Sequence, residues 1–169
     1  MNNGKIRITE NGLENLNRKI IDMEKLVKDI QAEKAIAYTA SGDGWHDNPG
    51  FNQLEQKEFR AVNDLQKLKN QRDSAIIVRI EKRNIDAVQI GSIVKIEQFY
   101  FKDNTTRLIT WEIVGHQESD FKLNRIAYDT PVGSALIGKK VDDVIELTLP
   151  VGKARFKIIS LFEDWSSVR

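Results

Sequence analysis

The residue types able to do chemistry are concentrated in one stretch, Gly42-Asp43-Gly44-Trp45-His46-Asp47-Asn48-Pro49-Gly50-Phe51. Two carboxylates, Asp43 and Asp47, stand there without local counter-charge: no Lys or Arg occurs from Ala35 to Gln56, although the chain carries 26. Asp, Asn and Gly are also ordinary turn residues, so the residues alone leave open whether these acids work as a chemical site or only cap and solvate a loop. His46 between two aspartates is a weak metal signal without further ligands. The stretch is no EF-hand, because the twelfth position counted from Asp43 is Leu54, where that motif needs glutamate. The chain's two histidines, His46 and His116, belong to no Ser-His-Asp arrangement. Trp45 either staples the loop onto Phe51 or Tyr38, or offers its ring to a partner.

The flanking elements that must hold this stretch read as helices. Thr9 is an N-cap, followed by Glu10 in the first turn, where a negative charge complements the helix dipole. Leu13, Leu16, Ile20, Met23, Val27 and Ile30 recur at alternating steps of three and four, the spacing of a coiled-coil seam. The stripe fades through Lys34 and Ala37 into an uncharged end before Ser41 and Gly42. Asn48 caps a second helix with Pro49 in its first turn, and Phe51, Leu54, Phe59, Val62, Leu65 and Leu68 are expected to form its apolar face. Lys57, Arg60, Lys67, Lys69 and Arg72 read as its solvated face. Glycines and a proline between the two patterns break the helix, so residues 1–75 are predicted to be an antiparallel coiled-coil hairpin with an acidic tip loop at 42–51. Each helix would reach roughly 45 Å at 1.5 Å per residue.

Composition agrees with an extended, solvated element. The chain is 40% hydrophobic and 30% charged with a formal net charge of +1, which argues against a general polyanion binder. It has no cysteine, and therefore no disulfide, thiolate chemistry or cysteine zinc site. The absence of a signal-peptide run or a membrane-length apolar stretch leads to the expectation of a cytoplasmic protein with no membrane partner. The hairpin satisfies its own seam, which predicts a monomer.

Beyond Ser74 the pattern changes. Ile76 to Ile80 is extended in character, and residues 76–87 form a connection. Strands are predicted at Ile93 to Phe99, Arg107 to Val114, Arg125 to Tyr128, Val144 to Leu149 and Ala154 to Phe162. Asp103-Asn104 reads as a hairpin turn, and Pro131 to Gly138 as one short helix closed by glycine. Trp111 and Trp165 read as packing of this domain. The fold class is therefore α+β: a helical hairpin, then a small domain at 88–169.

Several segments carry a resemblance. Trp111-Glu112-Ile113-Val114-Gly115, Glu118-Ser119-Asp120-Phe121, Pro131 with Ala135-Leu136-Ile137-Gly138-Lys139, and Asp142-Asp143-Val144 resemble, in this order, the C-terminal domain of the Gre family of bacterial transcript-cleavage factors. The capped start at Ile8-Thr9, the hairpin and Gly42-Asp43 extend the likeness over almost the whole chain. The resemblance implies that 88–169 is an FKBP-like domain docking on bacterial RNA polymerase at the rim of its secondary channel. It also implies that the hairpin enters the channel, and that the tip carboxylates help the polymerase, not this chain alone, hydrolyse backtracked RNA near the nascent 3′ end. On that reading Asp43 and Asp47 hold a Mg²⁺ ion jointly with the polymerase, and Trp45, His46 and Asn48 make tip contacts. Asp43 matches the family's tip aspartate, and Asp47-Asn48 the acid and asparagine after it.

The tip also departs from the family pattern. The second acid is an aspartate four residues on, in place of a glutamate three residues on, and the loop has one extra residue. Thr39 and Glu55 stand where cleavage factors carry arginines, and Trp45 and His46 replace smaller or charged residues. The alternative reading is a Gre-like channel-binding regulator that inhibits or modulates the polymerase without cleavage. The FKBP-like fold also hosts prolyl isomerases, but no aromatic-lined pocket is legible in these strands.

Overall fold

The structure, a computed structural model, describes residues 5–41 and 48–168. By internal contacts the chain divides into two compact units. The first comprises Met1–Ile6 with Leu13–Ala75, and the second Arg7–Gly12 with Ile76–Arg169.

The first unit is built on α1 (Glu10–Ser41) and α2 (Pro49–Asp73). Ile20, Val27 and Ile30 of α1 are buried, and Val27 and Ile30 form a core with Ala61, lined by Met23, Leu54 and Leu65. The predicted seam of α1 is thus the face that packs. Its partner contacts run antiparallel: Lys69 Nζ lies 2.7 Å from Glu24, Lys34 Nζ 2.8 Å from Glu58, and the Tyr38 and Phe51 ring centroids are 6.2 Å apart.

The predicted face of α2 needs one correction. Phe59 and Val62 are exposed, at 69% and 43%, while Ala61 is buried and Glu58 half-buried. Strict alternation of threes and fours from Phe51 runs through Leu54, Glu58, Ala61, Leu65 and Leu68. Geometry follows that spacing rather than the nearest large apolar side chain, so Phe59 and Val62 fall one position outside the seam. Among the basic residues of α2, Lys67 pairs with Asp64, Lys69 with Glu24 and Arg72 with Asp73.

The second unit holds a five-stranded mixed sheet of β3 (Ile93–Tyr100), β4 (Thr105–Val114), β5 (Arg125–Ala127), β6 (Val144–Leu149) and β7 (Gly152–Phe162), introduced after a small two-stranded element. The sheet order is β5-β4-β3-β7-β6, and β4–β5 is its one parallel pairing. The helix α3 (Pro131–Leu136) is capped by Thr130, whose hydroxyl accepts from the Gly133 amide, and Gly138 follows at φ +78°, the left-handed conformation that suits glycine. Leu136 joins Val94, Ile96, Ile113, Ala154, Phe156 and Ile158 in the core. Burying each large side chain of this set stabilises the fold by about 1.5–3 kcal/mol.

The pattern of short strands did not reveal the two-stranded element, in which β1 (Arg7–Thr9) pairs parallel with β2 (Ile76–Val78). Thr9 therefore does two jobs: it ends β1, and its hydroxyl accepts from the Gly12 amide at 3.1 Å as the predicted cap. Among the described residues no helix is long and apolar enough to cross a membrane.

Candidate functional site

Asp43, Trp45, His46 and Asp47 lie outside the described residues. The structure describes the ends of the elements that carry them. On the α1 side, Ala35 to Ser41 contains no charged residue, and the Thr39 hydroxyl donates back to the Ala35 carbonyl at 3.0 Å. On the α2 side, the Asn48 side-chain oxygen accepts from the amides of Gly50 at 2.8 Å and Phe51 at 3.3 Å, with Pro49 in the first turn. That oxygen serves the helix N-terminus, whose unpaired amides demand an acceptor. Phe51 turns inward, 5% exposed, against Tyr38.

Lys34, the cation that precedes the uncharged stretch, is engaged by α2. Its Nζ is 2.8 Å from Glu58 Oε2, 3.7 Å from Glu55 Oε1 and 5.4 Å from the Phe51 ring centroid. Gln31 Nε2 donates to the other Glu58 oxygen at 2.8 Å. The hydrogen bond to Glu58 raises the Lys34 pKa above its ordinary 10.5, and the bonds from Lys34 and then Gln31 lower that of Glu58 below 4.5. Both groups therefore stay charged at neutral pH. Sequence reasoning missed this cluster; the signal was present in the heptad count, which puts Glu58 in the seam opposite the faded stripe at Lys34.

The motif residues of the second unit prove to be a scaffold. Glu112 is nearly buried and held between Arg83 Nη2 at 2.9 Å and Arg125 Nε at 3.0 Å. Arg83 also donates to the Gly91 and Glu163 carbonyls. Both oxygens of Glu118 accept from Thr9, and the Ser119 hydroxyl accepts from the Ala127 amide at 2.8 Å. A cleft of about 240 Å³ beside these groups is lined by Glu10, Glu112 and Glu118, but Arg79, the two arginines and Thr9 already satisfy them. His116 Nδ1 is hydrogen-bonded to the Asp129 carboxylate.

The same motif does leave one surface open. Asp120 caps the 3₁₀ turn Phe121–Leu123 by accepting from the Lys122 and Leu123 amides, and Asn124 closes it at φ +53°. The turn is fixed, yet it presents Phe121 at 74% exposure and Leu123 at 56%. Two large apolar side chains held out on a rigid turn are suited to contact another protein.

Comparison with known proteins bears on this arrangement. Residues 82–162, the span that contains the scaffold and the open turn, match the family model described as "Transcription elongation factor, GreA/GreB, C-term". Over 154 residues the chain is 31% identical to the transcription elongation factor GreA of Clostridium novyi, covering 91% of this chain and 94% of that protein. The chain belongs to the GreA/GreB family of transcription elongation factors. GreA of Clostridioides difficile is 27% identical to this family member over 94% of its length and 97% of its own. Among solved structures, GreA factor homolog 1 of Thermus thermophilus is similar at 21% identity, covering 94% of this chain and 99% of that one with a TM-score of 0.42.

Proposed function

We propose that this GreA/GreB-family protein binds bacterial RNA polymerase through residues 88–169, an FKBP-like domain, and places its hairpin tip in the secondary channel, where Asp43 and Asp47 stimulate the polymerase's own cleavage of backtracked RNA. The observation that carries the reading is the lack of counter-charge around the two acids. No Lys or Arg occurs from Ala35 to Gln56, and Lys34, just outside that window, is committed to Glu58 and Glu55. Two carboxylates left in this state suit Mg²⁺, which takes one or two carboxylates and keeps several waters. The donor set is short of a complete site, so the remaining ligands must come from the polymerase. Asp43 and Asp47 would hold the ion together with the polymerase, and it would supply there polarisation of the scissile phosphate and a nucleophilic water. The work of this chain is to carry the acids on a long stalk, in a stretch of sequence without Lys or Arg, and to offer Trp45, His46 and Asn48 to the RNA 3′ end and the channel wall. Phe121 and Leu123 provide the docking turn. The protein works as a cytoplasmic monomer, without chemistry of its own in the absence of the polymerase.

A specific feature favours a second reading. Thr39 bonds back to its own helix and Glu55 lies beside Lys34, so neither described residue offers a cation to RNA phosphate. A tip without that contact fits a regulator that occupies the channel and slows synthesis. Single Asp43→Ala and Asp47→Ala variants separate the two. Under the cleavage reading each abolishes stimulated RNA shortening while polymerase binding persists. Under the second, RNA stays intact with the unaltered protein, and Trp45→Ala relieves slowed elongation.

A further inference from the structure

We propose that Lys34 and Glu58 are positioning residues: a polar clamp across the seam that fixes the register of α1 against α2, and so the relation between the two helix ends that carry the tip segment. This deepens, and rests on, the reading that the tip acids assist cleavage.

The seam of α1 is apolar from Leu13 to Ile30 and then places a lysine at its next position. The seam of α2 places a glutamate between Leu54 and Ala61. Putting charges in a seam costs desolvation, and only full pairing offsets it. That pairing is present: both Glu58 oxygens are occupied, by Lys34 and by Gln31, each at 2.8 Å. A displacement of one seam step would set Lys34 against Leu54 or Ala61 and leave Glu58 facing apolar neighbours. A single polar pair of this kind specifies register in coiled coils at some cost in stability.

Its position in the hairpin ties the clamp to the tip. Ile30 is the last buried aliphatic residue of α1, and the seam beyond Lys34 continues only to Ala37. Asp43 follows Lys34 by nine residues and Asp47 precedes Glu58 by eleven, so a register shift would displace against one another the ends of α1 and α2 from which the acids are carried. An ion shared by the two acids would be held less well after that displacement.

The chain has no cysteine, so spin labels can be attached at Ala40→Cys and Gln53→Cys, one on each helix beyond the clamp. The label separation is expected to be a single narrow distribution in the otherwise unaltered protein and in Lys34→Arg, which keeps the charge. The double variant Lys34→Met/Glu58→Leu makes the seam apolar and should fold at least as stably. In it the distribution should broaden or split, and stimulated cleavage at saturating protein should fall by up to about a hundredfold, the scale for a misplacement of about 1 Å at a reacting site. The concentration for half-maximal effect should stay constant. An unchanged narrow distribution in the double variant would overturn the clamp, and so would a broadened one with full cleavage. If the unaltered protein stimulates no cleavage at all, the cleavage reading fails, and the distance distributions alone decide whether the clamp exists.

Discussion

Both carboxylate oxygens of Glu118 are taken by a single residue 109 positions earlier: the Thr9 amide donates to Oε1 at 2.8 Å and the Thr9 hydroxyl to Oε2 at 2.6 Å. The same hydroxyl oxygen accepts from the Gly12 amide, so Glu118 anchors the residue that caps α1. Space for the anchor comes from two glycines. A Cβ at Gly12 or Gly115 would run into the Glu118 side chain, and at Gly115 it would also stand 2.8 Å from the Ile8 Cα. This explains a glycine in the first turns of a helix, where it is otherwise unfavourable by roughly 1 kcal/mol. Glu118→Ala should destabilise the protein by about 2 kcal/mol, the range for part-buried hydrogen bonds to a charged group. Urea unfolding measures it, and a loss within about 0.5 kcal/mol, the range of ordinary surface changes, would contradict the anchor.

The two arginines on Glu112 are not equivalent. Arg83 also donates to two backbone carbonyls and is 24% exposed, whereas Arg125 is 36% exposed and makes one bond to the carboxylate. Each substitution leaves Glu112 with one arginine, but Arg83→Ala should lower the unfolding temperature more than Arg125→Ala, because it also strips the Gly91 and Glu163 carbonyls of their donor. Thermal unfolding of the two variants gives the order directly, and equal losses would contradict it.

The corrected seam of α2 makes its own prediction. Phe59→Ser removes a large apolar residue yet should change stability by no more than about 0.5 kcal/mol, because the side chain is already in solvent. Ala61→Leu adds an apolar residue at a packed position and should cost about 1–3 kcal/mol. Reversal of that order would restore the face read from hydrophobicity alone.

The Lys34–Glu58 pair gives a defined pH response. The lysine hydrogen bond holds the Glu58 carboxyl below its ordinary 4.5, so the pair's contribution is present above that value and is lost as pH falls through the lower folded one. The Lys34 ammonium is held above 10.5, so the contribution is present below that pH and is lost as pH rises through the higher folded value. Compared with Lys34→Met/Glu58→Leu, the stability difference should be flat across neutral pH and should shift in favour of the variant at both extremes. Urea titrations over a pH series test this, and a change in the neutral range would contradict it.

Much of the fold was legible because its elements carry local signals. The α1 seam repeats over six apolar residues, Asn48-Pro49 marks a helix start, and Thr130-Pro131 with Gly138 brackets α3. What escaped depended on partners distant in sequence. β1 is three residues long and exists through pairing with β2, and Glu118 carries no local sign that it will bind Thr9. Phe59 and Val62 misled because size drew attention from spacing. At the candidate site, the uncompensated acids were visible as a gap in the charge pattern. The clamp behind them was only half visible: the heptad count puts Lys34 and Glu58 each in a seam, but which residues meet depends on the register of the two helices.

The most direct test of cleavage assistance is to add the protein and Mg²⁺ to a backtracked elongation complex of its own polymerase and follow the length of 3′-end-labelled RNA. Rapid release of a short labelled 3′ fragment is expected, and it should be lost in Asp43→Ala and in Asp47→Ala. RNA that stays intact while the protein is demonstrably bound to the polymerase would contradict cleavage assistance.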